Sequence, residues 1–260
     1  MTDVFAPNLF AGRHVLVTGG ATGIGFAIAE ELGRLGARIT IASRKEDRLK
    51  QATDRLRSNG IDADWRRVNI READEVEALF HDLALRGLPD ALINNAGGQF
   101  SAPALETSAN GFRTIVDLNL QGPWQMCSAF AKALIAANKP GRIVNIAFAH
   151  TGAMPDFAPA AAARAAMVNL TKTLALEWGR HGILVNAIGA GTIETDALAQ
   201  YANKEDWQRD LARQPVPRFG TPRDVALAVA YLLSPAGDFV TGALLRLDGG
   251  ESLVQRDAGD

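Results

Sequence analysis

Short, almost wholly apolar runs alternate along this chain with longer stretches of helical periodicity. The runs are 14–19 (HVLVTG), 38–43 (RITIAS), 62–68 (DADWRRV), 90–95 (DALINN), 141–147 (GRIVNIA), 182–188 (GILVNAI) and 243–248 (ALLRLD). Most are continuously apolar and β-branched, the pattern of strands covered on both faces. They predict seven strands. Between them apolar positions return at i, i+3 and i+4. Residues 25–36, GFAIAEELGRLG, carry such a stripe and close on Gly36, which suits the left-handed turn at a helix end. Strand and helix in repeated succession imply right-handed crossovers, hence one doubly wound α/β fold with a parallel sheet of seven strands. No linker, repeat or low-complexity tract divides the 260 residues, so a single domain over 1–260 is expected.

Composition narrows the function classes. Hydrophobic residues make up 47% and charged residues 22%, the balance of a globular protein that keeps a large core. A net charge of -2 offers no basic surface for nucleic acid or an anionic membrane. No run approaches the roughly 20 apolar residues of a membrane helix. The opening MTDVFAPNLF lacks the basic start and apolar run of a signal peptide. Cys127, the sole cysteine, lies in WQMCSAF, which reads as a buried helix face. A reducing, cytoplasmic setting is the expectation.

The first strand ends in TGGATGIG, where Gly19, Gly23 and Gly25 are spaced G-x-x-x-G-x-G, with Thr22 and Ile24 among them, and open a helix. Glycines there permit a tight turn and let the backbone approach a pyrophosphate at the helix N-terminus. Such a turn is an ordinary one in isolation. Directly after the first strand of a βαβ unit it points to a nucleotide site. The second strand ends in ASRK. No acidic residue stands there to meet a free ribose 2′-hydroxyl, and Ser43, Arg44 and Lys45 are donors suited to a 2′-phosphate. NADP is therefore expected over NAD, although some charges of RKEDR belong to a solvated helix start.

With these blocks in place the chain resembles the short-chain dehydrogenase/reductase family over essentially its full length. TGGATGIG, NNAG (94–97), Asn119 in DLNLQG, GRIVNI, LTKTLALEW, GILVNAI and FVTGALLRLDGG follow in the family's order. The resemblance implies roles. Asn95, Ala96 and Gly97 would line the cofactor ribose and stabilise the sheet. Asn119 would interrupt a long helix and hold a water on the proton route. Ile193 would bond the nicotinamide carboxamide through its backbone. Asn69 and Ile70 would meet the adenine, the Asn oxygen accepting its amino proton.

The departure from the family lies in the chemistry. The usual serine after the fifth strand falls on Ala147 or Phe148, and neither can bond a carbonyl. The usual Tyr-x-x-x-Lys becomes Ala160 and Arg164, four apart and so on one helical face. The chain's two tyrosines lie elsewhere: Tyr231 reads as structural, within an apolar helix, and Tyr201 falls in the segment after strand six. Arg164 can hold ribose hydroxyls and supply positive potential, but its pKa, above about 12, makes it a poor proton shuttle.

The chain resembles most the branch of 2,4-dienoyl-CoA and peroxisomal-type trans-2-enoyl-CoA reductases, where the Tyr-x-x-x-Lys pattern is not kept. IASRKEDRLK, NNAGGQFSAP and ARAAMVNLTKTLALEW carry this likeness. The tyrosine that dienoyl-CoA reductases hold after strand five corresponds to Phe148, so that acid is absent as well. Reduction of a ketone forms an alkoxide and benefits from a strong acid. Reduction of an enoyl thioester forms an enolate, which neutral or cationic donors can hold while water protonates the α-carbon. Arg164, Asn119, Gln99, Ser101, His150 and Thr151 are the candidate donors. His150 titrates in the useful range but reads as a loop residue. His14, His81 and His181 show no metal-ligand spacing, and no metal is expected.

Three readings follow: an NADPH-dependent reductase of the C=C bond of an enoyl thioester, with a small-molecule acyl-thioester substrate as its partner, an alcohol or ketone oxidoreductase with a displaced acid such as Tyr201, and a non-catalytic NADP-binding protein. The family resemblance implies a homotetramer built through two long helices and the last strand, and the matching helices near 110–137 and 158–180 are apolar on more than one face, as such burial requires.

Overall fold

The computed structural model describes residues 4–148, 154–196 and 211–254. Its seven strands are β1 (His14–Thr18), β2 (Arg38–Ser43), β3 (Ala63–Arg67), β4 (Ala91–Asn94), β5 (Gly141–Phe148), β6 (Ile183–Ala190) and β7 (Leu244–Leu247). All are parallel and lie in the order β3-β2-β1-β4-β5-β6-β7. Chain direction through the sheet reverses between β1 and β4, the point where a doubly wound sheet opens a crevice at its carboxyl edge.

The helices are α1 (Gly23–Arg34), α2 (Glu46–Ser58), α3 (Ala73–Arg86), α4 (Ala109–Val116), α5 (Gly122–Ala136), α6 (Ala158–Trp178) and α7 (Pro222–Leu233). Alternation along the strands feeds two cores. Val15 and Val17 join Ile28 and Leu32 of α1, Leu49 and Leu56 of α2, and Val225 and Val229 of α7. Leu16, between those valines, turns to the other face and meets Leu83 of α3, Phe130 of α5 and Leu174 of α6. Both faces are buried, which is why the strands read as continuous apolar runs rather than alternating ones.

The long helix expected over 110–137 is α4 and α5 joined by a wider helical turn, Asp117–Gln121, with an i to i+5 repeat. Asn119 sits in that turn, so the interruption expected there is real. Tyr231 is 37% exposed on α7 and belongs to the surface rather than to the core. Cys127 is buried as read from its segment, and burial pushes its thiol up to about 12, leaving it inert. Among the described residues no helix is long and apolar enough to cross a membrane.

Candidate active site

A cleft of about 620 Å³ opens over the carboxyl ends of β1, β2 and β4. The turn after β1 forms its floor. Gly19 has φ of +65° and its N–H donates to Ala42 O at 2.7 Å, tying the turn to β2. Thr18 anchors the other side: its hydroxyl accepts from the N–H of Asn95 (3.0 Å) and of Ala96 (3.1 Å). Asn95 Nδ2 returns bonds to Thr18 O and Gly19 O, at 3.0 and 3.3 Å. The side chain of Asn95 is therefore a staple between β1 and β4. Gly25 lies beneath the turn, where an added Cβ would stand 2.3 Å from Gly19 O. Only hydrogen fits there, so the helix start closes directly on the turn. The first turn of α1 holds no acidic residue, which leaves its N-terminal amides available to an anion.

Gly19, Thr22, Gly23, Ile24, Ser43, Arg44, Asn69, Ile70, Asn95, Ala96 and Gly97 all line this cleft, as the sequence suggested. Arg48, Thr195 and Asp196 also line it and were not anticipated. Arg48 had a legible signal, four residues from Arg44. Thr195 and Asp196 had none, because only the return of the chain after β6 carries them to the mouth. Arg44, Lys45 and Arg48 are exposed at one end, and among the described residues they have no ion-pair partner. That end is a cationic pocket with three donors to spare.

Asn69 differs from expectation. Its Oδ1 accepts from Arg71 N and Nε at 3.4 and 3.3 Å, and its Nδ2 donates to Glu72. The oxygen assigned to adenine thus already serves the turn that follows β3. Ile70 packs under Gly122, where a Cβ would stand 2.8 Å from its side chain.

Beyond the cleft, Arg164 projects from α6 one turn after Ala160, which is buried. Its Nη1 donates to Ile146 O, and its guanidinium stacks on the ring of Phe148 at 4.7 Å. This contact sets Phe148, the last residue of β5, against Arg164, while Ala147 before it is buried. Gly97 admits the guanidinium: a Cβ there would stand 2.5 Å from Arg164 Nη2. Arg164 Nε is buried without a partner among the described residues, and no carboxylate pairs with the group. Burial lowers its pKa to about 10, so it remains a cation at neutral pH.

Asn119 directs its side chain into the backbone around it. Nδ2 donates to Gly98 O (2.7 Å) and Ile115 O (2.8 Å), and Oδ1 accepts from Gly98 N (3.3 Å). Both amide hydrogens are spent on backbone, and the side chain fixes the loop after β4. Ile193 has a buried side chain and does not line the cleft. Gly220 bonds the flanking residues, from Gly220 N to Thr192 O (3.0 Å) and from Glu194 N to Gly220 O (2.8 Å). In a parallel bridge that leaves the N–H and C=O of Ile193 itself directed away from Gly220. Of the other candidate donors, Gln99 is half-buried and Ser101 exposed, while His150, Thr151 and Tyr201 lie outside the described residues. His14 is buried and bonded to Thr40 Oγ1 at 2.8 Å, far from the cleft at the opposite end of β1. His81 and His181 are exposed.

Residues 19–252 match a family model described as Enoyl-(Acyl carrier protein) reductase. A peroxisomal 2,4-dienoyl-CoA reductase of Arabidopsis thaliana is 36% identical, covering 96% of this chain and 88% of its own. A galactitol 2-dehydrogenase of Rhizobium johnstonii is also 36% identical, over 92% and 95% of the two chains. Among solved structures, a putative NAD(P)-dependent gluconate 5-dehydrogenase from Beutenbergia cavernae with bound NADP superposes with a TM-score of 0.90. It shares 33% identity, over 96% of this chain and 100% of that one.

Proposed function

The chain belongs to the short-chain dehydrogenase/reductase family of oxidoreductases, and on that premise we propose that it is an NADPH-dependent reductase of the C=C bond of an enoyl or dienoyl thioester. The cofactor half of the reading rests on the shape of the cleft. The turn that admits no Cβ at Gly25, the uncapped start of α1 and the unpaired Arg44, Lys45 and Arg48 suit a dinucleotide with an extra phosphate. Such a cofactor supplies hydride, here to the β-carbon of the substrate.

The observation that carries the substrate half is the cation at Arg164 with no acid beside it among the described residues. Phe148 and Ala160 offer no hydroxyl to bind or protonate a ketone oxygen. Arg164 can stabilise negative charge on a thioester oxygen as the enolate forms, and it sits where burial strengthens that interaction. The proton that completes the reduction comes from water to the α-carbon. Asn119 fixes the loop after β4, and Gly97 of that loop, which lines the cleft, leaves room behind it for the Arg164 guanidinium. The relatives named for sugar alcohols and sugar acids define the competing chemistry, which needs an acid or base at the hydroxyl carbon.

The test is NADPH consumption by the purified protein with crotonyl-CoA, cyclohexenone and a panel of ketones. Turnover of crotonyl-CoA with ketones near background is expected. Turnover of a plain ketone at a rate comparable to crotonyl-CoA would overturn the substrate assignment. Binding of NADPH without any turnover would replace it with a binding protein.

We also propose a homotetramer. Trp124 and Ile135 on α5 and Leu176 on α6 are 47%, 38% and 86% exposed, apolar surface of the kind that subunits cover. A monomeric mass in light scattering at micromolar concentration would contradict this.

A further inference from the structure

The last turn of the chain is fastened to the loop that follows β6. Glu251, in the short helical turn Glu251–Leu253, is 8% exposed. Its Oε2 accepts from Thr192 N at 2.8 Å and its Oε1 from Thr192 Oγ1 at 3.0 Å. The two residues stand 59 apart in sequence. With Gly220 N on Thr192 O, every polar group of Thr192 is engaged.

The turn that carries Glu251 is itself rigidly built. Asp248 accepts from Gly250 N at 3.0 Å and Ser252 N at 3.1 Å. Gly249 and Gly250 both have positive φ, 60° and 85°, which side chains rarely adopt. On one side the turn lies against Gly191, where a Cβ would stand 2.7 Å from both Asp248 Cβ and Glu251 Oε2. On the other it lies against Pro215 and Val216, with Val216 N donating to Gly249 O at 2.9 Å. Three segments distant in sequence therefore meet at this turn, and the Thr192 segment meets its buried carboxylate.

The consequence falls on Ile193. Thr192 is held from both sides and Glu194 is held by Gly220, so the peptide groups of Ile193 between them have a fixed direction, away from Gly220. We propose that Glu251 is a positioning residue: through Thr192 it sets the Ile193 peptide, two residues before Thr195 at the cleft mouth, as the contact for the carboxamide end of the cofactor, without itself touching the cofactor. A buried carboxylate is costly unless its acceptors are filled, and here two donors from one residue fill them. The inference rests on the cleft being a nicotinamide dinucleotide site.

The test separates the two ends of the ligand. NADPH and 2′,5′-ADP, which shares the adenosine end but lacks nicotinamide, are titrated into wild type, Glu251→Ala, Glu251→Gln and Thr192→Val, with circular dichroism confirming the fold. Glu251→Ala should weaken NADPH about 10- to 100-fold, the scale of a lost charged hydrogen bond, and 2′,5′-ADP less than about twofold. Glu251→Gln keeps an acceptor for Thr192 N–H and should lose less than about fivefold. Thr192→Val keeps the backbone bond alone and should fall between. If Glu251→Ala does not fold, the same ordering between Glu251→Gln and Thr192→Val decides the question. Equal weakening of both ligands, or no weakening of NADPH in any variant, overturns the inference while leaving the cleft assignment intact. A wild type that binds neither ligand overturns the cleft assignment, and the inference with it.

Discussion

Replacing Arg164 by Met separates what this residue does for the fold from what it does for the site. Burial drives its pKa from the ordinary guanidinium range down to about 10. At 1.36 kcal/mol per pH unit this corresponds to about 3 kcal/mol against the charged form. Opposing that cost are one charged hydrogen bond to Ile146 O, worth about 1.5–3 kcal/mol, and stacking on Phe148, worth about 1–2 kcal/mol. The two sides nearly cancel, so the cation contributes little to stability. Met occupies a similar volume without charge and with three rotatable bonds to settle into the gap. The melting temperature of Arg164→Met should stay within about 4 °C of wild type, on the usual conversion for a domain of this size. NADPH affinity and crotonyl-CoA reduction should each fall, by about 10-fold or more for the loss of a charged contact. The sign of the pH effect follows from the lowered pKa. The cost of the buried cation is present throughout the range below about 10 and fades only as pH rises past it, where the folded protein releases the proton first. Between pH 6 and 9 the ratio of wild-type to variant activity should therefore be flat. Differential scanning fluorimetry and NADPH titration read the two effects separately. A fall in melting temperature of more than about 8 °C with unchanged NADPH affinity would show that Arg164 serves the fold, and would refute the reasoning.

Arg44→Ala should cost about 1.5–3 kcal/mol in NADPH binding and little in NADH binding, measured by titration of both cofactors; equal losses would remove the 2′-phosphate from its assigned place. Thr18→Val leaves the N–H groups of Asn95 and Ala96 without their acceptor, and a loss of about 2–4 kcal/mol in denaturant unfolding is expected. Gly25→Ala puts a methyl 2.3 Å from Gly19 O and 2.4 Å from Asn95 Nδ2, so the turn must open and cofactor binding should drop out of range in the same titration. Asp224 caps α7 reciprocally with Thr221, and Arg218 beside it holds its carboxyl down at about 2. A depressed folded pKa gives stability that is present above the usual Asp range and is lost as pH falls toward 2. Asp224→Asn should accordingly flatten the fall in stability between about pH 4 and 2, by about 1 kcal/mol once the exposure of Arg218 is allowed for.

Much of this molecule follows from local pattern. Apolar, β-branched runs place the central strands within a residue or two of their bounds, because burial on both faces of a parallel sheet imposes that composition, whereas the partly buried edge strands ADWRR and LLRL carry a weaker pattern. The glycines of TGGATGIG mark the cofactor turn because a missing side chain is a property of the residue itself, and the packing at Gly25 shows what it makes room for. That position 160 of α6 is not tyrosine and position 164 is not lysine is equally plain in the sequence. Tertiary structure decided what spacing does not encode. Whether Phe148 or Ala147 meets Arg164 depends on where β5 ends relative to α6, which spacing along the chain does not encode. The wide turn around Asn119 directs both its amide hydrogens to Gly98 and Ile115. Arg48, Thr195 and Asp196 become neighbours only when α2 and the chain after β6 fold over the same cleft. Glu251 reads as one more acidic residue near the end of the chain until β7 returns beside β6 and buries its carboxylate on Thr192. Periodicity reports which face of an element is buried, whereas a hydrogen bond across 59 residues depends on where whole elements stop, and that is settled by packing.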